Sequence, residues 1–259
     1  MLDPRVTKLA ELLATHSTEL EPDDAVLIHT FDIPDEVTAE CVRVVQSKGA
    51  KAVLRRESSL VRRQLLLGLD EAGTELIADV EKYEMTKMTA YWSLRGSHNI
   101  GENSDVPSEK LSMWQRLYAT PVVFEVRVPN TKWVALRWPT PSMAQQANAS
   151  TQAFEDFYFR VCTLDYSKME KAVAPLVDLM NATDQVRIVG PGTEFEFSIK
   201  DIGAVPCIGK RNIPDGECFS CPVKDSANGV VQYNTSSLYQ GTVFKDVRYV
   251  GKNGKIGEA

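Results

Sequence analysis

Histidine is scarce in this chain: three residues, His16, His29 and His98, among 259. None falls in a His-Glu-x-x-His pair or any other metal-ligand spacing, which excludes a metal centre built on neighbouring histidines. There is no basic run and no low-complexity tract. The 29 lysines and arginines are interspersed with 35 acids for a formal net charge of -6, which argues against nucleic acid or an anionic membrane as partner. No apolar stretch is long enough to span a bilayer. Five cysteines, an odd number without an export signal, point to free thiols in a reducing cytoplasm rather than to disulfides. A dinucleotide site is unsupported, because no Gly-x-Gly-x-x-Gly follows the first strand-like run.

What is present is ordinary globular composition, 43% hydrophobic and 25% charged, in a length that suits one large domain or two smaller ones. The start, MLDPRVTKLAELLATHS, places Asp3 and Pro4 where a helix is capped and Leu9, Leu12 and Leu13 on one face, which reads as an amphipathic surface helix. DDAVLIHTF is a short apolar run. PDEVTAECVRVVQSKGA then shows helical spacing up to Gly49, and KAVLRRES reads as a second strand. That strand-helix-strand order predicts a doubly wound, mostly parallel sheet with flanking helices.

The same alternation continues with helices around Ser59 to Leu67, Asp70 to Val80 and Ser108 to Ala119, and strands near Thr89 to Leu94 and in TKWVALRWP. Two longer helices follow, and Phe154, Phe157 and Tyr158 form an aromatic face expected to pack into the core. From Asp184 the chain becomes β-rich. DQVRIVGPGTEFEFSIKD reads as two strands about a Gly-Pro-Gly turn, and GECFSCPV, NGVVQYNTSS and GTVFKDVRYVGKNGKIGEA are strand-like. The expected organisation is therefore an α/β domain over residues 1–183 and a β-rich segment over 184–259.

Chemistry concentrates in NIPDGECFSCPVKDSANG. Cys218 and Cys221 form a Cys-x-x-Cys pair, and Cys207 could supply a third thiol to zinc, but a fourth ligand is not evident. A redox dithiol opens a helix, whereas Pro222 and Val223 continue an extended segment. Small buried side chains are the expected role of these thiols. The loop RGSHNIGENSD, with His98, Asn99, Glu102 and Asn103, reads as solvated. Glu217 has a different setting. Pro-Asp-Gly is a tight-turn sequence, so Glu217 would open a strand at a fixed point, with Asp215 two residues before it. An anionic oxygen held there suits a divalent metal at about 2.0 to 2.2 Å.

The ordered segments TKWVALRWPTPSMAQQAN, FEDFYFRVCTLDYSKM, GPGTEFEFSIKD and RNIPDGECFSCPVKDSANGVVQYNTSS resemble the aminopeptidase T, AmpS and PepS family of metalloaminopeptidases, most clearly from Lys132 to about Gly241. In that family the segment resembling NIPDGECFSCPV commonly reads Asn-Met-Pro-Asp-Gly-Glu-Val-Phe-Thr-Ala-Pro. Its glutamate, a ligand to a pair of divalent ions, falls at Glu217; valine and alanine stand where this chain has Cys218 and Cys221. The resemblance implies hydrolysis of amino-terminal residues from peptides by a two-metal site (zinc, cobalt, manganese or magnesium) in a homodimer. It also implies that the remaining ligands and catalytic groups lie in a region this chain lacks, so that the 259 residues alone are expected to be close to inactive. The rival expectation is a non-catalytic short paralogue acting as a binding or dimerisation module.

Overall fold

The computed structural model describes residues 2–239 and 242–258. The described chain divides into two compact units: Met1–Asp165 with Gly209–Asp215, and Tyr166–Ile208 with Gly216–Ala259. The first strand of the β-rich run opens at Gln185, beside the position 184 at which the sequence changes character. The compact units are cut elsewhere: the helix Tyr166–Asn181 falls in the second, while Gly209–Asp215 falls in the first.

The first unit begins with helix α1 (Pro4–Leu12), capped as its sequence requires: the Asp3 carboxylate accepts from the Arg5 amide, and Pro4 occupies the first turn, where no N–H is needed. A short π-type turn, Leu13–Ser17, extends it. Strand β1 (Ala25–Phe31), helix α2 (Asp35–Ser47), strand β2 (Lys51–Glu57), helices α3 (Ser59–Gly68) and α4 (Glu71–Met85) and strand β3 (Ala90–Arg95) follow. Then come α5 (Ser108–Trp114), a π-type helix over Gln115–Arg127, the short α6 (Val128–Asn130), strand β4 (Lys132–Arg137) and helices α7 (Pro141–Gln146) and α8 (Thr151–Cys162). The helix expected to stop at Ala119 thus runs on past Pro121. Tyr118 and Val122 are buried with Leu27, Ala78, Met85 and Tyr91, and that packing overrides the local cost of a proline inside a helix.

Strands β2, β1, β3 and β4 lie side by side and parallel, with Ala25 opposite Lys51, Val26 opposite Ala90 and Ala90 opposite Lys132. The fifth strand is β8 (Asn212–Ile213), which adds parallel to the β4 edge with Asn212 opposite Ala135. The sheet is the expected doubly wound one. Val26, Ile28, Trp92 and Val134 are fully buried on one face, while Leu27 and Tyr91 on the other join the cluster under α4 and the π-type helix. Burial on both faces is why β1 and β3 read as apolar runs without alternation.

The second unit starts with helix α9 (Tyr166–Asn181). Its main sheet is built from β5 (Gln185–Gly190), β6 (Thr193–Ser198), β10 (Asn228–Gln232), β13 (Arg248–Lys252) and β14 (Lys255–Glu258), in the antiparallel order β14-β13-β10-β6-β5. Strands β7 (Val205–Cys207) and β9 (Glu217–Phe219) form one small ladder, and β11 (Ser237–Tyr239) with β12 (Thr242–Phe244) another. Gly241 and Ala259, in the final strand-like segment of the sequence, lie outside the described residues.

Phe154, Phe157 and Tyr158 do not act as a single core face. Tyr158 is buried beside Phe159, but Phe154 is half-buried and Phe157 is 51% exposed. The buried aromatic pair on α8 is Tyr158 and Phe159, both edge-on to Trp138.

Candidate functional site

Glu217 is the first residue of β9, as the turn sequence before it requires. Gly216 holds φ at +141°, a conformation that calls for glycine, and a Cβ there would also press on the flexible end of Met169, with Cε at 3.3 Å. In the β7–β9 ladder Cys207 stands opposite Glu217 and Pro206 opposite Cys218, with α9 packed over both strands. The Glu217 carboxylate is exposed. Its one hydrogen-bonding neighbour among the described residues is the Cys207 thiol, with Sγ 3.9 Å from Oε1, and no lysine or arginine pairs with it. Asp215 is differently employed: its Oδ2 accepts the Gly209 amide at 2.8 Å and so closes the loop that carries β8.

The cysteines depart from expectation. Cys221 is exposed and Cys218 half-buried, because β9 ends at Phe219 and the chain leaves the ladder before Cys221. The buried thiols are Cys41 and Cys162, each pushed up to about 12 by desolvation. Among the described residues no three His, Cys, Asp or Glu side chains gather into a metal-holding group. Glu217 fits one carboxylate donor; the described residues do not form a metal centre of their own.

The histidines lie apart from this point in sequence and setting. His98 is exposed in its loop, where Asn99 Oδ1 accepts from the Gly101 amide. His29 is 3% exposed in β1, and its partners fix the tautomer: the Tyr91 hydroxyl, 2.9 Å away, donates to Nδ1, and Nε2–H donates to Glu57 Oε1 at 2.8 Å. Burial holds the imidazole below its usual range and keeps it neutral, outweighing the Glu57 carboxylate. Burial alone would raise Glu57, but its hydrogen bond from His29 and the Arg62 guanidinium bring it down to about 2. Arg62 Nε reaches Glu57 Oε2 at 2.8 Å, and its guanidinium lies 4.8 Å from the centre of the Trp114 ring. Glu57, Arg62 and Trp114 of this cluster line a 560 Å³ cleft with Asp32, Val61 and Ile77, while His29 lies behind them. Sequence reasoning missed it, since residues from β1, β2, β3 and α3 converge with no motif; the only local signal was the charged end of KAVLRRES.

Together these features define a doubly wound α/β unit followed by a β-rich unit that carries an exposed strand-opening carboxylate, a fold found in known proteins. The chain superimposes on wild-type AmpT from Thermus thermophilus with a TM-score of 0.81 and 18% identity, covering 98% of this chain and 70% of that one. A more distant structural relative is 2,5-dihydroxypyridine dioxygenase from Pseudomonas putida KT2440, with a TM-score of 0.56 and 10% identity over 100% of this chain and 68% of the other. At those identities the likeness is one of fold. No curated protein matches. The chain belongs to the thermophilic metalloprotease family M29, whose model matches residues 2–259. It is thus a member of a family of metal-dependent peptidases, hydrolases of peptide bonds, in keeping with the resemblance read from its sequence.

Proposed function

We propose that this protein is an aminopeptidase that removes residues from the free amino end of peptides, and that Glu217 is one of its metal ligands. The observation that supports this most is the setting of Glu217: an exposed, ion-pair-free carboxylate on a glycine-fixed strand start, in the segment that resembles the metal-binding motif of the aminopeptidase T family. A divalent pair there would act as Lewis acid and lower the pKa of bound water. Zinc, cobalt, manganese and magnesium all suit a carboxylate donor combined with other ligands. This chain's own contribution is a fixed anionic oxygen; the other donors have to come from outside the described group. Peptide as substrate, a homodimer and a cytoplasmic setting belong to the same proposal. None of the described helices is long and apolar enough to cross a membrane.

The absence of a three-ligand group among the described residues favours a second reading, a non-catalytic module of the same fold. One experiment separates the two. The protein, expressed to the stop codon of its gene, is given a tripeptide and its amino-acetylated form, with and without chelator, and products are read by mass spectrometry. Stepwise loss of residues from the free peptide alone, abolished by chelator and restored by a divalent ion, supports the aminopeptidase. Cleavage of neither peptide, with any of the four metals, supports the module.

A further inference from the structure

The last residues of β3 and β4, Arg95 and Arg137, stand opposite one another in the parallel register, so both side chains leave the same face at the carboxyl end of the sheet. Like charges in that arrangement repel. Both are exposed, and neither has a carboxylate partner among the described residues; Arg95 Nε donates only to Ser93 Oγ, 2.9 Å away. Several arginines of this unit are matched with acids, as Arg43 is with Glu40, Arg55 with Glu81 and Glu84, and Arg62 with Glu57, whereas Arg127 and Arg211 lie over the rings of Tyr91 and Trp133. Arg95, whose guanidinium also lies 5.9 Å from the centre of the Phe31 ring, and Arg137 border a 460 Å³ groove. Its opposite wall is apolar, made by Met143 of α7 and by Phe154, Phe157 and Val161 of α8, and among the described residues no aspartate or glutamate lines it. The Phe154 and Phe157 rings are 6.3 Å apart, and the half-exposed Phe157 has the groove as its apolar environment.

We propose that this groove is a binding site for a carboxylate that carries an apolar body. The anion bridges Arg95 and Arg137, relieving their repulsion, and the body lies along Phe154, Phe157 and Val161. Its position matches the general placement of ligands in open α/β sheets, outside the carboxyl ends of the strands. Guanidinium pairs recognise carboxylates through forked, charge-assisted hydrogen bonds. A groove without acids offers no counter-charge to a neighbouring ammonium, and the two arginines repel it, so a free α-amino acid is a poor occupant. The fitting chemistry is an aryl or alkyl carboxylic acid without an amine beside it, or the carboxyl end of a peptide that terminates in an apolar residue.

The test is calorimetric titration of metal-free protein, so it is independent of any peptidase activity. The probes are 3-phenylpropionate and the dipeptide Gly-Phe, each beside its uncharged amide, which keeps the shape and removes the anion. The proposal expects the acid of at least one pair to bind about tenfold or more tightly than its amide. Which pair discriminates tells a free acid from a peptide end. Arg137→Gln, at an exposed position, is expected to remove the discrimination with unchanged melting, and Phe157→Ala to weaken both members of the pair. Equal binding of acid and amide, binding of neither, or discrimination that survives Arg137→Gln would overturn it.

Discussion

Replacing Glu57 by glutamine removes the one carboxylate that holds both His29 and Arg62. Glu57 is 18% exposed and Arg62 17%, so Arg62 would be left largely buried without its counter-charge. Holding the Glu57 carboxyl at about 2 rather than 4.5 corresponds to about 3 kcal/mol favouring the ionised native state; residual solvent contact reduces the expected loss at pH 7 to roughly 2 kcal/mol. For a unit of this size that is a fall in Tm of roughly 4–8 °C. Because the native pKa is depressed, the stabilisation is complete above about 4.5 and fades as pH drops towards 2. His29, kept neutral by burial, makes a separate demand: the unfolded chain takes up a proton below about 6.5 and the native one resists it, so stability also falls with pH there. Glu57 raises His29, so in the variant the imidazole resists protonation more strongly and this loss is larger than in wild type. The assay is tryptophan-detected unfolding, which reports the first unit because Trp92, Trp114, Trp133 and Trp138 all lie in it. The gap between wild type and Glu57→Gln should hold or widen from pH 7 to about 5, as the variant loses the carboxylate that favours the His29 cation, and shrink between about 4.5 and 2.5. A gap of the same size at pH 7 and pH 3, or none at pH 7, would refute the assignment.

Gly216→Val places a branched side chain at φ +141° against Met169, and should cost about 1–3 kcal/mol in the second unit; hydrogen exchange of the β9 amides would show the local loss, and unaltered protection would count against the role given to this glycine. Glu217→Ala should leave stability within about 0.5 kcal/mol of wild type in chemical denaturation, since the side chain is exposed and unpaired with any base; a larger loss would mean the carboxylate serves the fold. Iodoacetamide at pH 8 should modify Cys221 first and leave Cys41 and Cys162 unreacted in the native protein, because burial pushes both thiols up to about 12. Peptide mapping after a short pulse checks this order, and early labelling of Cys41 would contradict it.

The doubly wound sheet was legible because β1 and β3 are buried on both faces and therefore appear as unbroken apolar runs, and because Asp3 and Pro4 mark the helix before β1 and Gly49 the end of the helix after it. The strand start at Glu217 was legible from Pro-Asp-Gly alone. Other features depend on contacts between distant segments. Asn212 and Ile213 are too short a run to read as a strand, and become one only because β4 offers a free parallel edge. The helix through Pro121 persists because Tyr118 and Val122 are buried against α4, which periodicity read before a proline does not reveal. Cys221 was expected inside from the small residue at that place in the family pattern, yet the ladder ends two residues earlier and leaves it in solvent. The His29–Glu57–Arg62 cluster had no motif at all, being assembled by register between β1 and β2 and by one turn of α3.

The claim at the centre of this account is that Glu217 holds metal. Calorimetric titration of zinc and of cobalt into the protein expressed to the stop codon of its gene, beside Glu217→Gln, tests it most directly. The account predicts that both proteins melt alike and that the variant binds metal more than about 10-fold more weakly. Equal affinity in the two proteins would contradict it and remove Glu217 from the site.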